Sequence, residues 1–169
     1  KLWEFLQMGC QRGPAVAGDL ADPRVAALRR AVLQAQHEAH QFKGFVRFSQ
    51  VEGTLVSEIS PKNQVLPLLR PHFRSRYPGE RLVIWDRVHR QALFSAPEGW
   101  AIVPLEEFHS GAAGEEEQTY RQLWRRFYEA VSIEARENPK CRMTHMPKRF
   151  WADLTELNGE DEQPGLPRQ

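Results

Sequence analysis

Cysteine is scarce in this chain, with only Cys10 and Cys141 among 169 residues. Two thiols cannot build a disulfide framework, and they are too few for a cysteine-only metal site. A reducing compartment, the cytoplasm, is the expectation. No apolar run approaches the roughly 18 residues of a transmembrane helix, and no basic-then-apolar leader opens the sequence, so a soluble protein with no membrane partner is expected. The G-x-S-x-G elbow, the phosphate-binding glycine loop, the dinucleotide glycine motif and the paired-cysteine metal signatures are also missing. An independent enzyme is therefore not indicated, and no cofactor is implied. Internal repeats and low-complexity tracts are absent. One local absence is the most informative: between Asn138 and Trp151 there is no acidic residue.

The length suits one domain, and the hydrophobic share of 41% and charged share of 27% are those of a globular chain. The formal net charge of +1 hides an uneven distribution. Acids gather at Glu106, Glu107 and Glu115 to Glu117 and again from Asp153 to Glu162. From Lys62 to Arg90, seven Lys or Arg (62, 70, 74, 76, 81, 87, 90) stand against Glu80 and Asp86, a local excess of five. Such an excess attracts polyanions even when the total charge is near zero.

Lys1 to Gly9 reads as the middle or end of a helix, which suggests a fragment. Asp22 followed by Pro23 is an N-cap with proline in the first turn. The helix it starts carries Val25, Leu28, Val32, Ala35, Ala39 and Phe42 on one side, reaches about Gln41 and is stopped by Gly44. Phe45 to Phe48 and Thr54 to Ile59 read as a hairpin with Gly53 in its turn. Asn63 to Tyr77 has helical spacing, with Pro67 in a first turn and Pro71 kinking or breaking it. Leu82 to Trp85, Gln91 to Ser95 and Trp100 to Val103 supply further strands. After a flexible acidic linker at Gly111 to Gly114, Glu115 to Glu117 open a long helix at its positive dipole end. Its buried stripe is Tyr120, Leu123, Trp124, Phe127, Val131 and Ala135. The plan is α+β: a small antiparallel sheet of about five strands packed by several α-helices. Residues 1–157 form one domain and residues 158–169 a disordered tail.

Three segments, EAHQFKGFVRF (38–48), ISPKNQVLPLLRPHFRSRY (59–77) and NPKCRMTHMPKRFW (138–151), resemble an uncharacterised bacterial family of DNA metabolism or DNA repair proteins. The resemblance covers the chain from Leu2 to about Leu157, with the three segments in order and spacing. It implies a repair context, because members are encoded beside a radical-SAM protein and related domains are fused to a uracil-DNA glycosylase. Members also carry a further N-terminal region, so the resemblance implies that this chain is the C-terminal two-thirds of such a protein. It assigns no catalytic residue.

Read from the residues alone, Lys140, Arg142, Lys148 and Arg149, with His145, Phe150 and Trp151, combine phosphate-seeking cations with rings on which bases stack. A helix resuming near Pro147 would add first-turn amides. The alternative is that Met143, Met146, Phe150 and Trp151 pack on the sheet while the cations stay solvated. Arg70, Arg74 and Arg76 join the candidate nucleic-acid contacts only if they lie on the same face. His37, Glu38 and His40 share a helix without the spacing of a metalloprotease motif, and no metal is expected. Cys141 reads as structural, and neither Asp86 with His89 nor His72 beside Arg74 is forced into an acid–base role by spacing.

The expectation is a DNA-repair-associated nucleic-acid-binding or adaptor domain that works with a partner enzyme, a radical-SAM protein or uracil-DNA glycosylase. The alternatives are a catalytic repair subunit, nuclease or glycosylase-like, and a protein-interaction module anchored by Trp85, Trp100 and Trp151.

Overall fold

The computed structural model describes residues 2–108, 122–124, 126 and 139–154. Helix α1 spans Leu2–Arg12, a short 3-10 helix follows at Pro14–Gly18, and α2 spans Pro23–Phe45. Asp22 caps α2 as its sequence suggests, accepting from the Arg24 amide at 2.9 Å while holding the Arg24 guanidinium at 2.7 Å. These contacts keep the Asp22 carboxyl far below the usual aspartate range. The helix outruns its expected end by one turn. Gly44 lies inside the last turn, and the Val46 amide closes it on the Phe42 carbonyl at 3.0 Å. A helical glycine costs about 1 kcal/mol relative to alanine, which the packing of Phe42 and Phe45 on the main core offsets.

Strand β1 (Ser49–Val51) and β2 (Thr54–Ile59) form the expected hairpin, but the first strand starts later than Phe45 to Phe48. Phe45 and Phe48 are drawn into the core instead, Phe45 against Phe150 at 5.0 Å and Phe48 against Phe73 at 5.2 Å. The turn is the pair Glu52 (φ 48°) and Gly53 (φ 74°). Two left-handed residues match the twist of the flanking strands.

Helix α3 (Leu66–Arg76) carries Pro67 in its first turn and continues through Pro71 without breaking. Strands β3 (Arg81–Asp86), β4 (Gln91–Ala96) and β5 (Gly99–Pro104) complete a five-stranded sheet in the order β1-β2-β3-β4-β5. The sheet is mixed, not purely antiparallel: β2 and β3 run parallel, with Leu55 opposite Leu82 and Ser57 opposite Ile84. The cause is α3, which fills the connection between them and returns the chain to the starting end of the sheet, as a parallel pair requires. The α+β class and the five strands are as expected.

Helices α2 and α3 cover one face of the sheet. Ala39, Phe42, Leu66, Leu69 and Phe73 pack there on Ile59, Leu82, Ile84 and Leu93. On the other face Val56, Val83 and Ala92 meet Trp85, Leu105 and Phe108. A second small core joins Met8, Val16 and Val25. The expected α2 stripe is therefore buried at both ends but not throughout, because Val32 lies between the two cores and is 40% exposed.

Gln122 to Trp124 are helical, yet Leu123 and Trp124 are exposed rather than buried, since α2, α3 and the C-terminal segment already fill the main core. Tyr120, Phe127, Val131, Ala135, residues 111–117 and residues 158–169 lie outside the described residues. The C-terminal segment comprises α4 (Pro139–His145) and a 3-10 helix at Lys148–Asp153, which sinks Phe150 and Leu154 into the protein. The helix expected near Pro147 is thus a short 3-10 turn.

Candidate nucleic-acid interface

Glu38 occupies the core side of α2, one turn before Phe42, and is 3% exposed. Burying an unpaired carboxylate costs several kcal/mol, so its partners decide whether the site is viable. Oε1 accepts from the Lys62 amide at 3.0 Å, and Oε2 from the Asn63 amide at 2.8 Å and the Asn63 Nδ2 at 2.6 Å. Arg149 Nη1 closes the set at 2.9 Å from Oε1. Burial raises the proton affinity of Glu38, but the Lys62 amide, both Asn63 donors and Arg149 outweigh it, and the carboxyl titrates below the ordinary glutamate range. Arg149 also donates to Gln41 Oε1 at 3.0 Å and lies 4.6 Å over the Phe150 ring. Phe150 in turn meets Phe42 edge-on at 4.9 Å.

Residues 38–48, 59–77 and 138–151 therefore meet at one junction. The sequence sets Glu38 beside His37 and His40, but it points inward while both histidines are exposed. A signal for its real role is present in the spacing. A carboxylate one turn before a core phenylalanine falls on the apolar face of an amphipathic helix and needs a buried partner.

The other candidate residues divide by what they touch. Arg74 donates to the Ala96 carbonyl at 2.5 Å and the Pro97 carbonyl at 3.0 Å, which clips the β4–β5 turn. Arg70 stacks on Trp100 at 4.3 Å. Both serve the end of the sheet opposite Glu38, since α3 starts beside Asn63 and its 11 residues span about 16 Å. Arg76 is exposed, with Nε 3.4 Å from the Tyr77 hydroxyl. Lys140 and His145 are exposed on α4, and Lys148 is exposed with Nζ 5.7 Å from the Trp151 ring. Trp151 is half-buried and donates from Nε1 to the Met146 carbonyl at 3.0 Å. Arg142 falls in α4, and its side chain lies outside the described residues. Phe150 packs in the core, whereas Met143 is exposed.

The outer side of α2 links these groups. Gln41 faces the Arg149 flank, and Lys43 lies about 200° further round the helix. Burial, then Lys43, then Arg76 hold the His72 imidazole below its usual proton affinity. Exposed His40 lies between the flanks. Residues 39–51, 59–79 and 138–152 contain no acid; Glu38 is buried and paired, and Asp153, at the end of the C-terminal 3-10 helix, is held by Arg87.

At the carboxyl ends of β2 and β3 a different set of contacts fixes the C-terminal segment. Arg87 binds Asp153 at 2.5 Å and the Ser60 hydroxyl at 3.1 Å. Asp86 accepts from the Val88 and His89 amides at 3.0 Å each, and its Oδ2 lies 2.7 Å from His89 Nδ1. Of the tryptophans considered as anchors, Trp85 is tied to the Leu105 carbonyl at 3.1 Å, and Trp100 is 55% exposed beneath Arg70.

No helix among the described residues is long and apolar enough to cross a membrane. No curated protein and no solved structure matches the chain. A family model described as a domain of unknown function, DUF4130, matches residues 1–156. With that match covering all but the last residues of its 169, the chain belongs to the DUF4130 family.

Proposed function

We propose that this protein is a nucleic-acid-binding domain of DNA repair that acts beside a partner enzyme. The observation that carries the reading is the charge of the Glu38 junction. Three segments distant in sequence meet there, and all carry lysine and arginine with no exposed acid. Solvated cations of this kind neutralise backbone phosphates, releasing counterions as they do so. Trp151 and Lys148 at the edge of that junction supply a ring and a cation of the kind that grips single strands. The repair context and the partner, a radical-SAM protein or a uracil-DNA glycosylase, come from the resemblance of the three segments.

The test is binding to labelled single- and double-stranded DNA across a salt series. Wild type is expected to weaken steeply with salt, and Arg76→Ala/Lys140→Ala/Lys148→Ala to weaken about tenfold or more at low salt with a shallower slope. Arg149 is left intact because Glu38 depends on it. Salt-independent binding, or equal binding by the two proteins, overturns the reading.

A further inference from the structure

Strand β5 reads G-W-A-I-V-P, apolar throughout, yet every residue of it except Ile102 is exposed. It is also an edge: among the described residues no strand lies beyond it in the sheet. An edge strand presents a row of unpaired amides and carbonyls, which proteins ordinarily protect with charge, proline or shortness. The opposite edge, β1, has only three residues and runs into the turn at Glu52. β5 has six residues, no charge, and proline only at its end.

Which of its main-chain groups face outward follows from the ladder. The Leu105 amide donates to the Arg90 carbonyl at 2.9 Å, one step beyond the register that sets Pro104 opposite Gln91. Bonded and non-bonded pairs alternate in an antiparallel ladder. Val103, Ala101 and Gly99 therefore bond to β4, while Trp100 and Ile102 turn their N–H and C=O away from it. Pro104 fits the same phase, because the amide it lacks would face outward. Side chains alternate as well. Ile102 packs on the main core and Trp100 lies beneath Arg70 on the α3 side, whereas Val103 and, opposite Ala101, Phe94 are exposed on the other face. Uncovered apolar groups thus flank the edge on both faces.

We infer that β5 pairs antiparallel with β5 of a second copy of this chain, about a two-fold axis at Ala101, and joins the two sheets into one. In that register each Trp100 faces Ile102 of the second copy and exchanges both main-chain bonds with it, which satisfies the outward donors and acceptors. The indole meets a β-branched side chain across the seam, a favourable cross-strand pair. Ala101 sits opposite its own counterpart at a non-bonded position, with α-carbons about 4.5 Å apart. Charge argues for a second copy as the occupant. A two-fold axis brings side chains near their own counterparts, and a strand without charge meets no like-charge repulsion there. Arg74 holds the turn that leads into β5 by the Ala96 and Pro97 carbonyls, so the strand is ordered before it pairs. One strand edge is a small interface, and the dimer is reversible, with a dissociation constant on the order of micromolar or weaker. The pairing does not depend on the nucleic-acid reading.

Sedimentation velocity of the full chain from about 5 µM to about 500 µM tests the pairing. Wild type is expected to shift from monomer to dimer as concentration rises. Trp100→Pro removes an outward amide, leaves the bonds to β4 in place and should stay monomeric. Ala101→Lys and Ala101→Glu each set like charges opposite one another and should be monomeric alone, whereas an equimolar mixture of the two should dimerise. That rescue is specific to a register in which residue 101 faces itself. Cross-linking gives a second readout in a Cys10→Ser/Cys141→Ser background, which removes the two exposed thiols. There Ala101→Cys should form a disulfide-linked dimer on mild oxidation, since its α-carbon spacing suits one, and Val103→Cys, which lies opposite Gly99 of the second copy, should not. Thermal melting confirms that each variant is folded. A wild type that stays monomeric at every concentration overturns the self-pairing and leaves the edge to a strand of another protein. A dimer that survives both Trp100→Pro and Ala101→Lys overturns it as well, because the contact then lies elsewhere.

Discussion

A single carboxylate, that of Glu38, ties α2 to the β2–α3 loop and to the C-terminal 3-10 helix. Removing it strands Arg149 and two backbone amides, and losing one partner of a buried ion pair costs about 3 kcal/mol or more. Glu38→Ala is therefore expected to lower the unfolding free energy by about that amount in urea, and a loss below about 1 kcal/mol would contradict the arrangement. Arg149→Ala leaves three donors on the carboxylate and should cost about half as much. The pH dependence has a definite sign. Because the folded Glu38 carboxyl titrates below its unfolded value of 4.5, its stabilisation is fully present above that pH and is lost as pH falls through the folded value. Wild type should lose more stability than Glu38→Gln on acidification below pH 4.5. Burial raises the proton affinity of Asp153, which titrates as well. It is common to both proteins, so their difference isolates Glu38.

At the scale of elements, local signals were legible and tertiary ones were not. Asp22-Pro23 announced α2 because capping acts over three residues, and short apolar runs such as Leu82 to Trp85 revealed β3 to β5 because each run is legible locally. The parallel pairing of β2 with β3 was also within reach: an 11-residue helix between two strands is long enough for a crossover, and reading the sheet as antiparallel missed it. The role of Arg149 was not accessible. It was visible as one cation in a basic run, but its partner Gln41 lies 108 residues away in the chain, and no local rule links them. The β1–β2 hairpin offers a sharp local test. Gly53 sits at φ 74° with open space around its α-carbon, so an alanine meets no clash and incurs only the left-handed backbone penalty. Gly53→Ala should destabilise by about 1 kcal/mol, whereas Glu52→Asn, which tolerates φ 48° better, should be neutral or stabilising. A loss of several kcal/mol at Gly53 would mean that more than the turn conformation is at stake.

Over the whole molecule, what distinguishes the protein is where its charge lies. A formal net charge of +1 gives almost no long-range pull on a polyanion, so on the proposed reading the affinity comes from the basic surface of α2, α3 and the C-terminal segment, whose acids Glu38 and Asp153 are paired with Arg149 and Arg87. Two double variants separate local from global charge. Glu106→Gln/Glu107→Gln moves the net charge from +1 to +3, since two negative charges are removed, and it alters residues beyond β5. Its only described ion pair, Glu106 with Arg90 at 2.6 Å, is solvent-exposed and contributes little stability. Arg76→Gln/Lys148→Gln moves the net charge from +1 to −1 by removing two positive charges from the proposed layer. If net charge governs binding, the two variants shift DNA affinity by equal and opposite factors at the same ionic strength. If the layer is the contact surface, the second variant weakens binding by about tenfold, from two lost phosphate contacts, while the first strengthens it by no more than about twofold. Isothermal titration at low and physiological salt distinguishes these outcomes, and symmetric shifts would remove the charge argument for placing the ligand on this layer.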